Sequence, residues 1–172
     1  MRDGIEFTLS ALLVGGGATV TMDLWAVLLK RFGIQSLDLG LLGRWIGYFP
    51  TGQFTHDSIA KAVPVRGERV IGWCAHYAIG IMFATLLLSI WGLKWARTPS
   101  LFPALFIGLM TVIAPFCIMQ PAMGAGIAAA KAPAPNIART KSILAHAVYG
   151  FGLYGSALLA VRVIVWANTG GG

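Results

Sequence analysis

Residues 70–93 carry no formal charge, and a helix of that length, at about 1.5 Å per residue, crosses a hydrocarbon core of about 30 Å. Lipid is therefore the solvent this chain folds against. The same stretch holds His76, seven residues beyond Arg69. A polar ring at that depth is expensive unless it faces protein or water, so His76 requires partners from elsewhere in the sequence.

Three further apolar runs accompany it, and the spacing predicts spans over about 5–29, 68–91, 100–120 and 140–166. With 57% hydrophobic residues, 11% charged residues and a mean hydropathy of +0.76, the composition excludes an ordinary soluble protein. The expected fold is all-α: an integral membrane four-helix bundle with a cytoplasmic interfacial amphipathic segment, forming one transmembrane domain over 1–172. The formal charge of +7 is a topology signal, not a nucleic-acid footprint. Lys30, Arg31, Arg44, Lys61, Arg66, Arg69, Lys131, Arg139 and Lys141 fall in or beside two connecting loops, against Arg2, Lys94, Arg97 and Arg162 on the other side. The positive-inside rule then places both long loops in the cytoplasm and both termini outside. The first apolar run is too long for a signal h-region and ends in Lys30-Arg31 without a small-residue cleavage site, which predicts that it is retained. Gly170, Gly171 and Gly172 are expected to be a frayed end. Cys74 and Cys117 both lie in apolar segments, the pattern of packed thiols rather than of a disulfide.

Each span shows its own packing stripe. Gly16, Thr19, Asp23 and Ala26 recur on the first helix, Gly72, His76, Gly80 and Ala84 on the second, and Ser142, His146 and Gly150 on the fourth, at spacings that let helices approach closely. Between the first two spans, Leu37, Leu39, Leu41, Leu42, Trp45, Ile46 and Phe49 predict a short amphipathic helix at the membrane surface. Pro115 is expected to kink the third span. The glycine-rich stretch from Gln120 to Gly126 predicts unwound backbone, which is tolerated at membrane depth only inside protein or beside water.

Counting inward from the basic loops places Asp23, His76, Gln120 and His146 in one layer roughly 10 Å below the membrane boundary. Interhelical hydrogen bonds that only fix packing would account for them, but an ionisable trio at one depth is more than packing requires. Three chemistries remain open. Asp23, His76 and His146 are a ligand set for zinc, iron or another transition metal; His76 and His146 are candidate axial ligands of a haem; or the group binds a proton or small substrate during transport. No Cys-x-x-Cys or His-Glu-x-x-His spacing reinforces the metal reading, and no glycine-framed serine supports hydrolysis. His56, in the long loop, reaches such a site only if the loop folds back under the bundle. Arg44, beside Trp45, has two readings: a contact to anionic lipid headgroups, or recognition of an anionic substrate.

The chain resembles a bacterial inner-membrane family known only as a domain of unknown function. The resemblance rests on Gly17-Ala18-Thr19 with Met22-Asp23-Leu24-Trp25, Gly43-Arg44-Trp45, His56, Gly72-Trp73 with His76-Tyr77-Ala78-Ile79-Gly80, Gln120-Pro121-Ala122-Met123-Gly124-Ala125-Gly126, and His146 with Gly150-Phe151-Gly152-Leu153-Tyr154. It implies a bacterial source and four spans, and brings no activity with it. The sequence reading is thus a multi-pass protein of the bacterial inner membrane that binds an ion or small substrate, embedded in the lipid bilayer as a homo-oligomer or beside a membrane-protein partner. A non-catalytic subunit that docks a partner is the competing reading, and a metal- or haem-dependent membrane enzyme the third.

Overall fold

The computed structural model describes residues 2–168, with side chains from 3 to 162, so the side chain of Arg2 and the stretch Gly170 to Gly172 lie outside the described residues. The described chain is all-helical: α1 (Arg2–Arg31), α2 (Leu39–Gly47), α3 (Glu68–Arg97), α4 (Leu101–Met110), a single turn α5 (Gln120–Ala122) and α6 (Pro135–Asn168). Four segments are long and apolar enough to cross a membrane: Asp3–Arg31, Glu68–Arg97, Leu101–Ala122 and Pro135–Arg162. The third combines α4, the π-helical stretch Pro115–Met119 and α5.

The helix ends follow local chemistry. α1 stops where Gly33 adopts φ 73, letting Gly33 N–H donate to Lys30 O and Ile34 N–H to Leu29 O, a Schellman closure. Gly92, at φ 71, breaks α3 just after Trp91, and helical structure then resumes to Arg97. Pro115 has no N–H and its ring crowds the carbonyl four residues back. The backbone there widens until Gln120 N–H donates to Pro115 O, five residues away.

α1 and α6, the first and last spans, form the central pair; α3 packs on α1, and α4 packs on α6. The contacts are made by residues without bulk. A Cβ on Gly15 would stand 2.6 Å from Ile81 Cα, and one on Gly108 would stand 2.6 Å from Gly150 Cα, so the backbones themselves touch at both crossings. On α1 the close contact is therefore made by Gly15, with Ala18 and Thr19 buried beside it, whereas the predicted stripe residue Gly16 has nothing within 4 Å. Ala11, Val14, Leu87, Leu88, Ile107 and Leu153 fill the half of the bundle away from the long loops. At that end Arg97 pairs with Glu6 at 2.6 Å, tying α1 to the end of α3.

α2 forms in the expected amphipathic segment and is anchored on α3: Gly43 and Gly72 face each other so closely that a Cβ on Gly43 would overlap Glu68 O, and one on Gly72 would overlap Leu39 O. One expectation is corrected: Cys74 and Cys117 are not packed thiols, since both are exposed on the outer surface of the bundle.

Candidate functional site

Asp23 lies where α1 crosses the first turns of α3, and two consecutive α3 residues reach it. His76 Nε2 is 3.1 Å from Asp23 Oδ1, and Tyr77 donates its hydroxyl proton to Asp23 Oδ2 at 2.8 Å. Neighbouring helical residues diverge by about 100°, so both can meet one carboxylate only because it sits in the groove between them. The pair is largely sheltered, with His76 18% and Asp23 22% exposed. Trp73, one turn before, lies against both rings, with centroids 6.2 Å from His76 and 6.1 Å from Tyr77.

His146 does not join this cluster. Its Nδ1 is 2.9 Å from Thr111 Oγ1, on the side of α6 that faces α4. The Thr111 hydroxyl also donates to Gly108 O at 2.7 Å. One hydroxyl proton cannot serve both neighbours, so a bond to Gly108 O requires His146 Nδ1 to be the donor and leaves its Nε2 free to accept. Nearer the loops, Gln120 Nε2 donates to Ser142 Oγ at 3.3 Å, while Gln120 Oε1 is buried without a partner. The sequence layer is thus divided into an Asp23–His76–Tyr77 cluster on α1 and α3 and a Thr111–His146 and Gln120–Ser142 ladder between α6 and the third span.

Among the described residues, no three of His, Cys, Asp and Glu group closely enough to hold a metal ion. Asp23 and His76 together offer two ligands, and both carboxylate oxygens are already engaged in hydrogen bonds. The residues present do not fit zinc or iron, whose sites need three or four protein ligands. His76 and His146 lie on different helix pairs, His76 against Asp23 of α1 and His146 against Thr111 of the third span.

Arg44 turns inward. Its Nε and Nη2 grip Glu68 Oε2 and Oε1 at 2.8 and 2.9 Å, while Nη1 reaches the carbonyls of Ile59, Ala60 and Ala62 at 3.3, 3.4 and 3.0 Å. Its fork-to-fork bond with Glu68 raises the guanidinium pKa above its ordinary value. The long loop is thereby drawn under the bundle. His56 N–H donates to Ala122 O at 2.8 Å and Ile59 N–H to Met123 O at 3.1 Å, which seats the loop on the end of the third span. Gly124, at φ 93, packs so closely on Asp57 O that a Cβ would overlap it. His56 Nδ1 lies 3.3 Å from Gln53 Nε2, whereas its Nε2 is buried without a partner. Next to this seam, Ala128 and Ala129 hold φ of 47 and 56, a left-handed conformation costing about 1–2 kcal/mol per residue. Arg139 Nε pins Ala128 O at 2.8 Å.

A family model described as "Protein of unknown function (DUF2938)" matches residues 12–160. The chain belongs to that family. The DUF2938 match spans every site residue named above, from Asp23 to His146, together with the long loop and the broken third span. No curated protein and no solved structure gives a significant match.

Tyr77 and Thr111 were not among the residues expected to form the site. Tyr77 is adjacent to His76, and only the position of Asp23 in the groove reveals its role. Thr111 sits just beyond α4 without any spacing signal, and its contact depends on which helix lies beside α6.

Proposed function

We propose that Asp23, His76 and Tyr77 form an intramembrane proton-binding site in a bacterial inner-membrane protein, and that proton binding there serves transport of a small solute. The single observation that carries this reading is the carboxylate of Asp23, held at membrane depth with one oxygen on an imidazole and the other on a phenol. A carboxylate and an imidazole in contact can share one proton, and the phenol donates to the second carboxylate oxygen, Oδ2. A proton suits this donor set better than a metal ion, because it needs no third ligand and displaces no existing bond. The Thr111–His146 and Gln120–Ser142 contacts form a separate polar strip between α6 and the third span, leading toward the loop face. The distribution of Lys and Arg favours a cytoplasmic location for that face.

Infrared titration of the full chain in lipid, between about pH 4 and pH 9, tests the site. A protonated-carboxyl band that changes with pH, vanishes in Asp23→Asn and shifts in Tyr77→Phe is expected. A spectrum without any titrating carboxyl that depends on Asp23 refutes it.

A further inference from the structure

The docked loop and the broken end of the third span line an open cleft, away from Asp23. We propose that it binds a phosphate monoester, supplied either by a soluble compound or by the headgroup of an anionic lipid. This site goes beyond the proton-binding reading and stands without it.

The pocket has a volume of about 980 Å³ and opens on the face of the basic loops; its walls are the 53–63 loop and the segment from Pro121 to Lys131. The two walls of this cleft are held together. Main-chain bonds from His56 to Ala122 and from Ile59 to Met123 fix one wall against the other, and the Arg44 fork holds the loop from behind. Its volume lies at the upper end of the range of small-molecule sites, roughly 300–1,000 Å³.

The charges decide the ligand class. Lys61 projects from the loop wall and Lys131 from the helix-end wall, and among the described residues neither is in an ion pair. The stem of Lys131 lies against Gly126, where a Cβ would meet its Cγ at 3.1 Å, so the side chain is carried along the pocket wall. The one acid in the lining is Asp57. Two ammonium groups, one carried by each wall, match a phosphate monoester, with a charge near −2 and three acceptor oxygens, better than a single carboxylate. Gln53 and Ser58 add neutral hydrogen-bonding groups to the lining. The buried His56 Nε2 has no protein partner, which leaves an unmet polar group in the same wall.

The test uses the full chain in phosphatidylcholine nanodiscs, with glycerol 3-phosphate as the soluble probe, measured by equilibrium binding. Nanodiscs doped with phosphatidic acid give the lipid arm, read by native mass spectrometry as lipid retained per chain. One saturable site is expected, weakened about tenfold or more by Lys61→Ala with Lys131→Ala and tightened severalfold by Asp57→Asn. Binding of glycerol 3-phosphate alone assigns a soluble ligand, binding of phosphatidic acid alone assigns a headgroup, and both support the shared chemistry. Should the double lysine variant fail to yield monodisperse protein, Asp57→Asn decides: tighter binding supports the site, and unchanged or weaker binding overturns it. Absence of saturable binding by either probe, or an affinity indifferent to both lysines, also overturns it.

Discussion

Gly15 and Gly16 are neighbours on α1, yet alanine at each should shift stability in opposite directions. A Cβ at Gly15 would meet Ile81 Cα at 2.6 Å, with Ala84 Cβ and Gly80 O at 3.0 Å, and two of these three are backbone atoms that cannot rotate away. Restoring ordinary contact at 3.4 Å requires α1 and α3 to separate by about 0.8 Å. Overpacking of this kind costs about 1–3 kcal/mol, offset by the gain of about 1 kcal/mol when alanine replaces glycine in a helix. Gly16 has nothing within 4 Å, so only the gain applies there. For a chain of this length 1 kcal/mol moves the midpoint by about 2–4 °C. The net cost at Gly15 is thus about 0–2 kcal/mol, so Gly15→Ala should lower the Tm in detergent by up to about 8 °C, and Gly16→Ala should leave it unchanged or raise it by a few degrees. If α1 shifts as a rod, the 3.1 Å contact between His76 and Asp23 also opens to about 3.9 Å, beyond hydrogen-bonding reach. The infrared band of Asp23 should then move in Gly15→Ala but not in Gly16→Ala. Equal Tm changes in the two variants, or a Gly15→Ala that stabilises as much as Gly16→Ala, would refute the crossing geometry.

Two further outcomes follow from the loop. Arg44→Lys retains the charge but not the fork that joins Glu68 to three carbonyls, so limited proteolysis should cut within residues 52–66 faster in Arg44→Lys as well as in Arg44→Ala; wild-type cleavage rates in both would remove the clamp from the account. A cysteine at Ser58, in a Cys74→Ala and Cys117→Ala background, should resist membrane-impermeant maleimide in intact cells and react after lysis. Labelling in intact cells would reverse the proposed orientation.

The four long apolar helices were legible because a hydrophobic run must cover the bilayer whatever it packs against, whereas their ends were less so: α3 runs on to Arg97 beyond the Gly92 break, and α6 begins at Pro135. The proximity of Asp23 to His76 was legible as well, since depth can be counted from the flanking basic residues. Helix order was not. Depth places His146 at the same level, but nothing in the sequence says that its face of α6 meets α4 instead of α3, and the structure gives its Nδ1 to Thr111. The same gap hid the role of Arg44, whose partner Glu68 is 24 residues away. It also moved the α1 contact from Gly16 to Gly15, because a small residue faces a neighbour only if the neighbour is on that side. Exposed Cys74 and Cys117 teach a related lesson: in lipid an apolar environment does not mean an interior one.

The central position of α1 and α6 has a consequence for how the molecule is made. During synthesis α3 can settle on α1 as soon as it emerges, but α4, which touches α3 only lightly, gains its main neighbour only when α6 is made. A nascent chain arrested before α6 would hold one finished hairpin and one loosely held span, so the second half assembles only after α6 has entered the bilayer.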